Sequence, residues 1–206
     1  AIVGEPAGAQ LEFVAAQIVS WQDFSHSFPD ATVLNRDTGS FASYDQNPYP
    51  YYDQLGSETF FPIEDYDKMT LDGKERVLTV NLGNDPIAFP FSVLSEAVVL
   101  EAESAGQHIV AFWQPGASSP LDEAFIIAGR NVGSAGAFIP TADGQQLTFE
   151  SRDTAIIDTQ TGSTWNVLGK AIDGPLTGAA LEPVISANHF WFAWAVFQPE
   201  TRIITG

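Results

Sequence analysis

Fourteen residues at the start of the chain return without a gap near its end. Ala1-Ile2-Val3-Gly4-Glu5-Pro6-Ala7-Gly8-Ala9-Gln10-Leu11-Glu12-Phe13-Val14 overlies Ala171-Ile172-Asp173-Gly174-Pro175-Leu176-Thr177-Gly178-Ala179-Ala180-Leu181-Glu182-Pro183-Val184, with eight identities. Beyond a short insertion, Trp21-x-x-Phe24 answers Trp194-x-x-Phe197, and Pro29-Asp30-x-x-Val33-Leu34 answers Pro199-Glu200-x-x-Ile203-Ile204. A repeated unit gives each copy the same local structure, and neighbouring copies cover the apolar faces that neither buries alone. The expected architecture is therefore one compact domain over residues 1–206, made of two related units with pseudo-two-fold symmetry. The duplication joins 1–34 with 171–204. Thr161 to Lys170 precedes the second repeat and has no counterpart before Ala1. An Ala in first position, where a gene product begins with Met, points to removal of residues upstream. The missing front half of the first copy, or another protein subunit, is the expected partner.

Between the repeats, apolar residues fall in short β-prone runs. These are Phe13-Val14, Thr32 to Leu34, Val77 to Val80, Val98 to Leu100, His108 to Trp113, Ala124 to Ile127, Gln146 to Phe149, Ala155 to Ile157 and Arg202 to Ile204. Asp72-Gly73, Gly83-Asn84-Asp85-Pro86 and Asp143-Gly144 supply turn chemistry between them. The pattern predicts a mainly β protein of the α+β class, with antiparallel strands and a few short helices. Ser20 is positioned to cap a helix through Phe28, stopped by Pro29. Asn188 stands likewise before a second helix ending at Phe197, and a third follows Pro90 over Phe91 to Ala97. Residues 35–75 keep neither a period of 2 nor one of 3.6. Their Tyr, Phe, Pro and Asp content predicts an ordered, Tyr-rich irregular excursion across the body of the fold.

A chain of 206 residues buries roughly 70% of its unfolded surface, so a core forms without covalent staples. With 26 acidic residues against 8 basic ones the net charge is −18, which repels nucleic-acid phosphates and anionic membrane surfaces. Only three Lys occur, which is consistent with adaptation to salt, although charged residues reach just 17%. No apolar run approaches the ~18 residues that a membrane span needs. The absence of Cys excludes disulfides, thiolate nucleophiles and Cys-bound zinc or iron–sulfur centres.

Several groups invite a chemical reading. Asp37-Thr38-Gly39-Ser40 carries an aspartic-protease signature, and Asp158 with Thr161-Gly162-Ser163 offers a second carboxylate. Two such carboxylates sharing a proton would activate water. An ordinary turn after Thr32-Val33-Leu34 accounts for the same letters. His26, His108 and His189 lack metal-ligand spacing, and His189, at the head of the aromatic segment, joins Asp37 and Asp158 as a catalytic candidate. Ser118-Ser119 lacks a nucleophile elbow. Gly129-Arg130-Asn131-Val132-Gly133-Ser134-Ala135-Gly136 lacks both dinucleotide and phosphate-loop signatures, which leaves close strand packing as the reason for its glycines. Tyr44, Asp45, Asn47, Tyr49, Tyr52 and Asp53 form a candidate ligand-binding set, since Tyr pairs an apolar ring with a polar tip suited to a sugar. Asp45, Asn47 and Asp53, or Glu64, Asp65, Asp67 and Asp72, supply oxygens for Ca²⁺, though neither set fits the EF-hand loop.

The chain resembles an uncharacterised bacterial and archaeal family, domain-of-unknown-function family 3179. The resemblance lies in Val19-Ser20-Trp21-x-x-Phe24, Val33-Leu34-x-x-Asp37-Thr38-Gly39 and Asn47-Pro48-Tyr49-x-x-Tyr52-Asp53. It continues through Lys74-Glu75-Arg76-Val77, Ala88-Phe89-Pro90 and Asp158-x-x-Thr161-Gly162-Ser163-x-Trp165. It closes on His189-Phe190-Trp191-Phe192-Ala193-Trp194-x-x-Phe197-x-Pro199-x-Thr201. Family members look longer at the front, with a Cys-bearing strand whose counterpart here, Phe112-Trp113-Gln114-Pro115, has no Cys. The chain thus looks like the rear part of such a protein. The resemblance implies an extracytoplasmic setting (periplasmic, cell-surface or secreted) and carries no catalytic residues with it. The residues and the resemblance together lead to an expectation of a non-catalytic binding or assembly protein. The alternative is a hydrolase using an acidic pair or a bound metal ion.

Overall fold

Every β4 position from Ile109 to Phe112 is buried, yet alternate residues enter different cores, so this strand runs through the middle of the molecule. The computed structural model describes residues 3–5, 7–9, 13–39, 43–60, 62–63 and 69–206. Its strands are β1 (Arg76–Leu82), β2 (Asp85–Pro90), β3 (Val99–Ser104), β4 (Gln107–Gln114), β5 (Ser134–Ile139), β6 (Thr141–Ala142) and β7 (Gln145–Gln146). They continue with β8 (Phe149–Arg152), β9 (Ala155–Asp158), β10 (Thr164–Trp165), β11 (Ala171–Asp173), β12 (Glu182–Pro183), β13 (Ser186–Phe190) and β14 (Arg202–Ile203). The helices are α1 (Trp21–Ser27), α2 (Phe91–Ala97) and α3 (Trp191–Ala195).

Three four-stranded sheets make up the body, in the orders β13-β1-β2-β14, β12-β5-β4-β3 and β11-β10-β9-β8. The middle sheet is covered on both faces. Ile109 and Ala111 join Leu78, Val80, Ile87, Phe89 and Leu94 in a core shared with the first sheet and α2. Val110 and Phe112, with Phe138 of β5, turn to Phe149, Ile156 and Trp165 of the third. A strand buried on both sides reads as a continuous apolar run, as His108 to Trp113 does. Pairing is antiparallel except between β14 and β2. Gly83 and Asn84, both at positive φ, form the two-residue β1–β2 turn.

The sequence-based helices are present with adjusted bounds. Ser20 caps α1 by accepting from Asp23 N, and α2 covers Phe91 to Ala97 as expected. Asn188 is not a helix cap: it lies in β13 opposite Leu78, and α3 starts only at Trp191. Ala124 to Ile127 is not a strand. Gln46 bridges Phe125, and Ile126–Ala128 closes a 3₁₀ turn. Phe13-Val14 and Thr32 to Leu34 are also not strands, and Phe13, Val14, Val33 and Leu34 are exposed. A β-prone run without a partner ladder has nothing to satisfy its backbone, so it stays irregular.

Two helix starts and two pairs of glycines follow one sequence offset. α1 begins at Trp21 and α3 at Trp191, 170 positions apart, the same offset that separates Ala1 from Ala171 and Pro29 from Pro199. At that offset Trp21 falls on Trp191 rather than Trp194, without an insertion. Gly4 and Gly174 share the offset and the conformation (φ 89° and 92°), and so do Gly8 and Gly178 (85° and 92°). Each first glycine accepts the same turn bond, from Ala7 N at 3.0 Å and from Thr177 N at 3.1 Å.

Candidate functional site

Three of the eight basic residues of this acidic chain meet at the start of β1. The turn Asp72-Gly73-Lys74-Glu75 leads into it, held by Lys74 N donating to Asp72 Oδ1 at 2.8 Å. The next residue is Arg76, the first of the strand. Facing it is the segment 47–53, whose backbone is laced to residues 121–124. Asn47 N donates to Ala124 O, Tyr51 N to Asp122 O and Tyr52 N to Leu121 O. Asn47 spends its side chain on the same seam, giving Nδ2 to Glu123 O and accepting from Tyr49 N. This lacing carries Asp53 into the interior.

Asp53 is 1% exposed and accepts three side-chain hydrogen bonds. Arg76 Nη2 and Ser119 Oγ both reach Oδ2 at 2.6 Å, and Arg130 Nη1 reaches Oδ1 at 2.9 Å. Burial by itself would raise the Asp53 pKa. The bonds from Ser119, Arg76 and Arg130 outweigh it and hold the carboxyl below its ordinary range. Arg130 also donates to Asp122 Oδ1 at 2.5 Å, and its own N–H to Asp122 Oδ2 at 2.7 Å. Burial opposes charge on Arg130, but Asp53 and Asp122 together raise its pKa. Ser119 Oγ further accepts from Arg76 Nη2 and Leu121 N, so the hydroxyl is committed on every side.

Lys74 is equally deep, 1% exposed, with a different surrounding. Its ammonium lies 3.1 Å from the centre of the Tyr52 ring, with Phe192 at 5.2 Å and Phe190 at 5.6 Å. Burial depresses its pKa, only partly countered by Asp53 and Asp72. Lys74 Nζ and Arg76 Nε are both buried without a hydrogen-bond partner. The cluster opens into a cleft of about 670 Å³ lined by Asp53, Lys74, Arg76, Trp113, Asp122 and Arg130, among others. Two glycines flanking Arg130 allow this packing. A Cβ on Gly129 would stand 2.1 Å from Ser119 O, and one on Gly133 2.3 Å from the Trp113 ring.

The sequence-derived ligand set divides here. Tyr52 and Asp53 join the cluster, while Asn47 is buried in the seam to Glu123 that positions them. Tyr49 is exposed, edge-on to Phe60, and Tyr44 is exposed with its hydroxyl 2.6 Å from Thr38 Oγ1. Asp45 is exposed and contributes its backbone carbonyl to Ile126 N. Asp53 is a poor Ca²⁺ ligand, because its charge is already met by two guanidinium groups that would repel a second cation. No group of three or more His, Asp or Glu that could hold a metal ion occurs among the described residues. Ser40, Glu64, Asp65 and Asp67 lie outside them.

The catalytic candidates sit apart from this cleft. Asp37 occupies an exposed turn, its N–H bonded to Asn35 Oδ1 at 2.9 Å. Asp158 is fully buried and accepts from Thr161 N, Thr161 Oγ1, Ser163 N and Trp165 Nε1. Burial favours its neutral form, yet the bonds from Trp165, Thr161 and Ser163 prevail and lower its pKa. All four donors come from residues 161–165 of its own segment, so Asp158 is built as a loop anchor. His189 faces Val77 across β13 and β1, lies tilted against the Trp194 ring at 5.2 Å, and is driven toward the neutral form by burial. It lines an apolar groove with Phe13, Val14, Trp194 and Phe197. Lys74, Arg76, Ser119, Asp122 and Arg130 were not among the expected site residues. For Lys74, Arg76 and Arg130 the signal was the scarcity of cations in the sequence; Ser119 and Asp122 carried none.

Fold and site define a three-layered, mainly antiparallel β protein with a buried Arg–Asp–Arg cluster beside an aromatic-caged lysine. The family model described as "Protein of unknown function (DUF3179)" matches residues 1–201, so the chain belongs to that family. No curated protein and no solved structure matches it. Among the described residues, no helix is long and apolar enough to cross a membrane.

Proposed function

We propose that this protein works by binding rather than turnover, and that its cleft takes a small anion bearing a carboxylate or phosphate group. The carrying observation is a pair of buried cationic N–H donors, on Lys74 and Arg76, that have no acceptor beside the cleft. Among the described residues, Arg76 and Arg130 pair with Asp53 and Asp122, Lys74 lies in the field of Asp53 and Asp72, and Lys74 Nζ and Arg76 Nε are left without acceptors. A buried donor without an acceptor is costly, and an anionic oxygen entering the cleft removes that cost. Arg130, the most exposed of the three at the cleft mouth, is the group placed to meet an incoming anion.

The hydrolase alternative has less support. Ser119 is locked between Asp53 and Arg76, Asp53 is held as a carboxylate by cations, and Asp158 is saturated by its own loop. None of the three is left as a free base or nucleophile. An extracytoplasmic setting, implied by the family resemblance, completes the proposal. In that setting the protein meets free anionic metabolites or the acidic groups of surface polymers.

Isothermal titration of the whole chain with inorganic phosphate and with succinate tests the reading. Saturable binding of either, lost in Arg130→Gln, is the expected result. Absence of binding by both, or full retention in that variant, overturns it.

A further inference from the structure

The two copies of the repeat share a sequence and a backbone register, yet differ in what covers them. Val184 is 5% exposed whereas its counterpart Val14 is 76% exposed, and Trp191 is 4% exposed whereas Trp21 is 64% exposed. Ile203 and Ile204 are partly buried against the cores, while Val33 and Leu34 stand in solvent. In the second copy the cover is explicit. Trp191 packs on Val77 of β1 and Ala88 of β2, β13 pairs with β1, and β14 pairs with β2. In the first copy α1 buries no residue.

We infer that residues 13–34 are a docking element for a further copy of the module's β1–β2 hairpin. The occupant has the chemistry of Arg76–Pro90 in this chain and is supplied by a related unit outside the folded body. It would pair along residues 16–20 as β1 pairs along β13, and it would receive Trp21 where Val77 and Ala88 receive Trp191.

Two observations support this occupant over an unspecified apolar surface. First, the offset of 170 residues holds from Gly4 through the helix start at Trp21 to Pro29, so the face is already in the shape that the hairpin fits. Second, the edge is free to accept a strand. Among the described residues, the sole backbone–backbone bond from Ala15 to Val19 is from Ala16 N to Ser186 O, and those two residues are themselves repeat counterparts. Polar contacts fix the opposite side of the segment. Gln17 Nε2 donates to Val167 O, Gln114 Nε2 to Asp23 Oδ1, and Lys170 Nζ to Ser27 O. These bonds hold the element against the body with its apolar face turned outward. A second copy of the same chain is a poorer occupant, because its own β1 edge is already taken by β13.

The test is a tandem protein in which a copy of residues 36–170 is fused directly before residue 1 of the whole chain. That junction repeats the natural Lys170–Ala171 connection. Amide hydrogen exchange across residues 14–34 is expected to slow by at least about tenfold in the tandem relative to the single chain. Trp21→Ala is expected to lower the tandem's melting temperature and to leave that of the single chain unchanged. Unchanged exchange in a folded tandem, or a silent Trp21→Ala there, overturns the inference. Should the tandem fail to fold, the single chain decides. Residues 14–34 must exchange at least about tenfold faster than 184–204, and equal protection overturns the inference.

Discussion

Arg130 holds Asp53 twice: Nη1 donates to the carboxylate at 2.9 Å, and Nη2 to the backbone carbonyl of the same residue at 2.8 Å. The pair thus fixes both the charge and the chain path of the Tyr-rich segment. Removing the carboxylate charge leaves two guanidinium groups facing each other with one shared neutral partner. Breaking a buried pair from one side costs about 3 kcal/mol or more. Asp53→Asn is expected to reach that figure in urea denaturation. A smaller loss is expected for Arg130→Gln, because Arg130 is partly solvated.

Acid should expose the same carboxylates. Asp53 and Asp158 have folded-state pKa values below the ordinary 3.8, so as pH falls the unfolded chain takes up their protons first. Their stabilisation is complete above 3.8 and is lost as pH falls from there through the folded-state values. Melting temperature is expected to hold between about pH 5 and 7 and to drop below about pH 4. The double variant Asp53→Asn, Asp158→Asn should start lower and show a shallower acid limb.

Lys74 has the opposite sign. Burial puts its folded-state pKa below 10.5, so between that value and 10.5 the unfolded chain holds more protons and stability rises with pH. Lys74→Met keeps the stem among Tyr52, Phe190 and Phe192 but removes the desolvated ammonium. The lost cation–π attraction and the relieved desolvation nearly cancel, leaving the variant within about 1 kcal/mol of wild type at neutral pH. Urea melts at about pH 7 and pH 10 check the sign: wild type gains on the variant at the higher pH. Anion binding should weaken in the same variant, which separates a ligand role from mere packing.

How far the sequence carried these conclusions depends on the range of the signal. β1, β3, β4, β9 and α2 were legible because short apolar runs, the turn residues between them and the proline before Phe91 are local signals, whereas β2 was not among the runs read. Asn188 misled because a good capping residue also sits comfortably in an edge strand, and the ladder to Leu78 is a long-range fact. Phe13-Val14 and Thr32 to Leu34 have strand composition but no ladder partner, and composition cannot supply one. At the site, Tyr52 and Asp53 stood out within a dense local cluster. Arg76, Ser119 and Arg130 come from three distant segments, and only folding brings them to one carboxylate.

Asp158 distinguishes an anchor from an acid catalyst. Its carboxylate satisfies two backbone N–H groups, the Thr161 hydroxyl and the buried Trp165 indole, so removing it orphans several donors at once. Asp158→Ala is expected to destabilise by about 2–4 kcal/mol. Asp37→Ala, in an exposed turn, should stay within about 0.5 kcal/mol. Chemical denaturation of the two variants checks both, and equal effects would contradict the assignment.

Gly129 offers the sharpest separation between backbone geometry and side-chain chemistry. Ser119 N donates to Arg130 O at 2.9 Å, so the strand-like path of residues 117–119 presses on the glycine next to Arg130. A methyl group at 129 would meet the Ser119 carbonyl at 2.1 Å, and backbone cannot yield there without breaking that bond. Gly129→Ala is expected to cost about 2–3 kcal/mol and to move Arg130 off Asp53. Gly144, at φ 75° with nothing within 4 Å of an added Cβ, is the control. Gly144→Ala should cost about 1 kcal/mol, from backbone conformation alone. Anion titration after each substitution completes the argument: the Gly129 variant loses binding because Ser119, Arg130 and Asp53 no longer converge, while the Gly144 variant binds as wild type does.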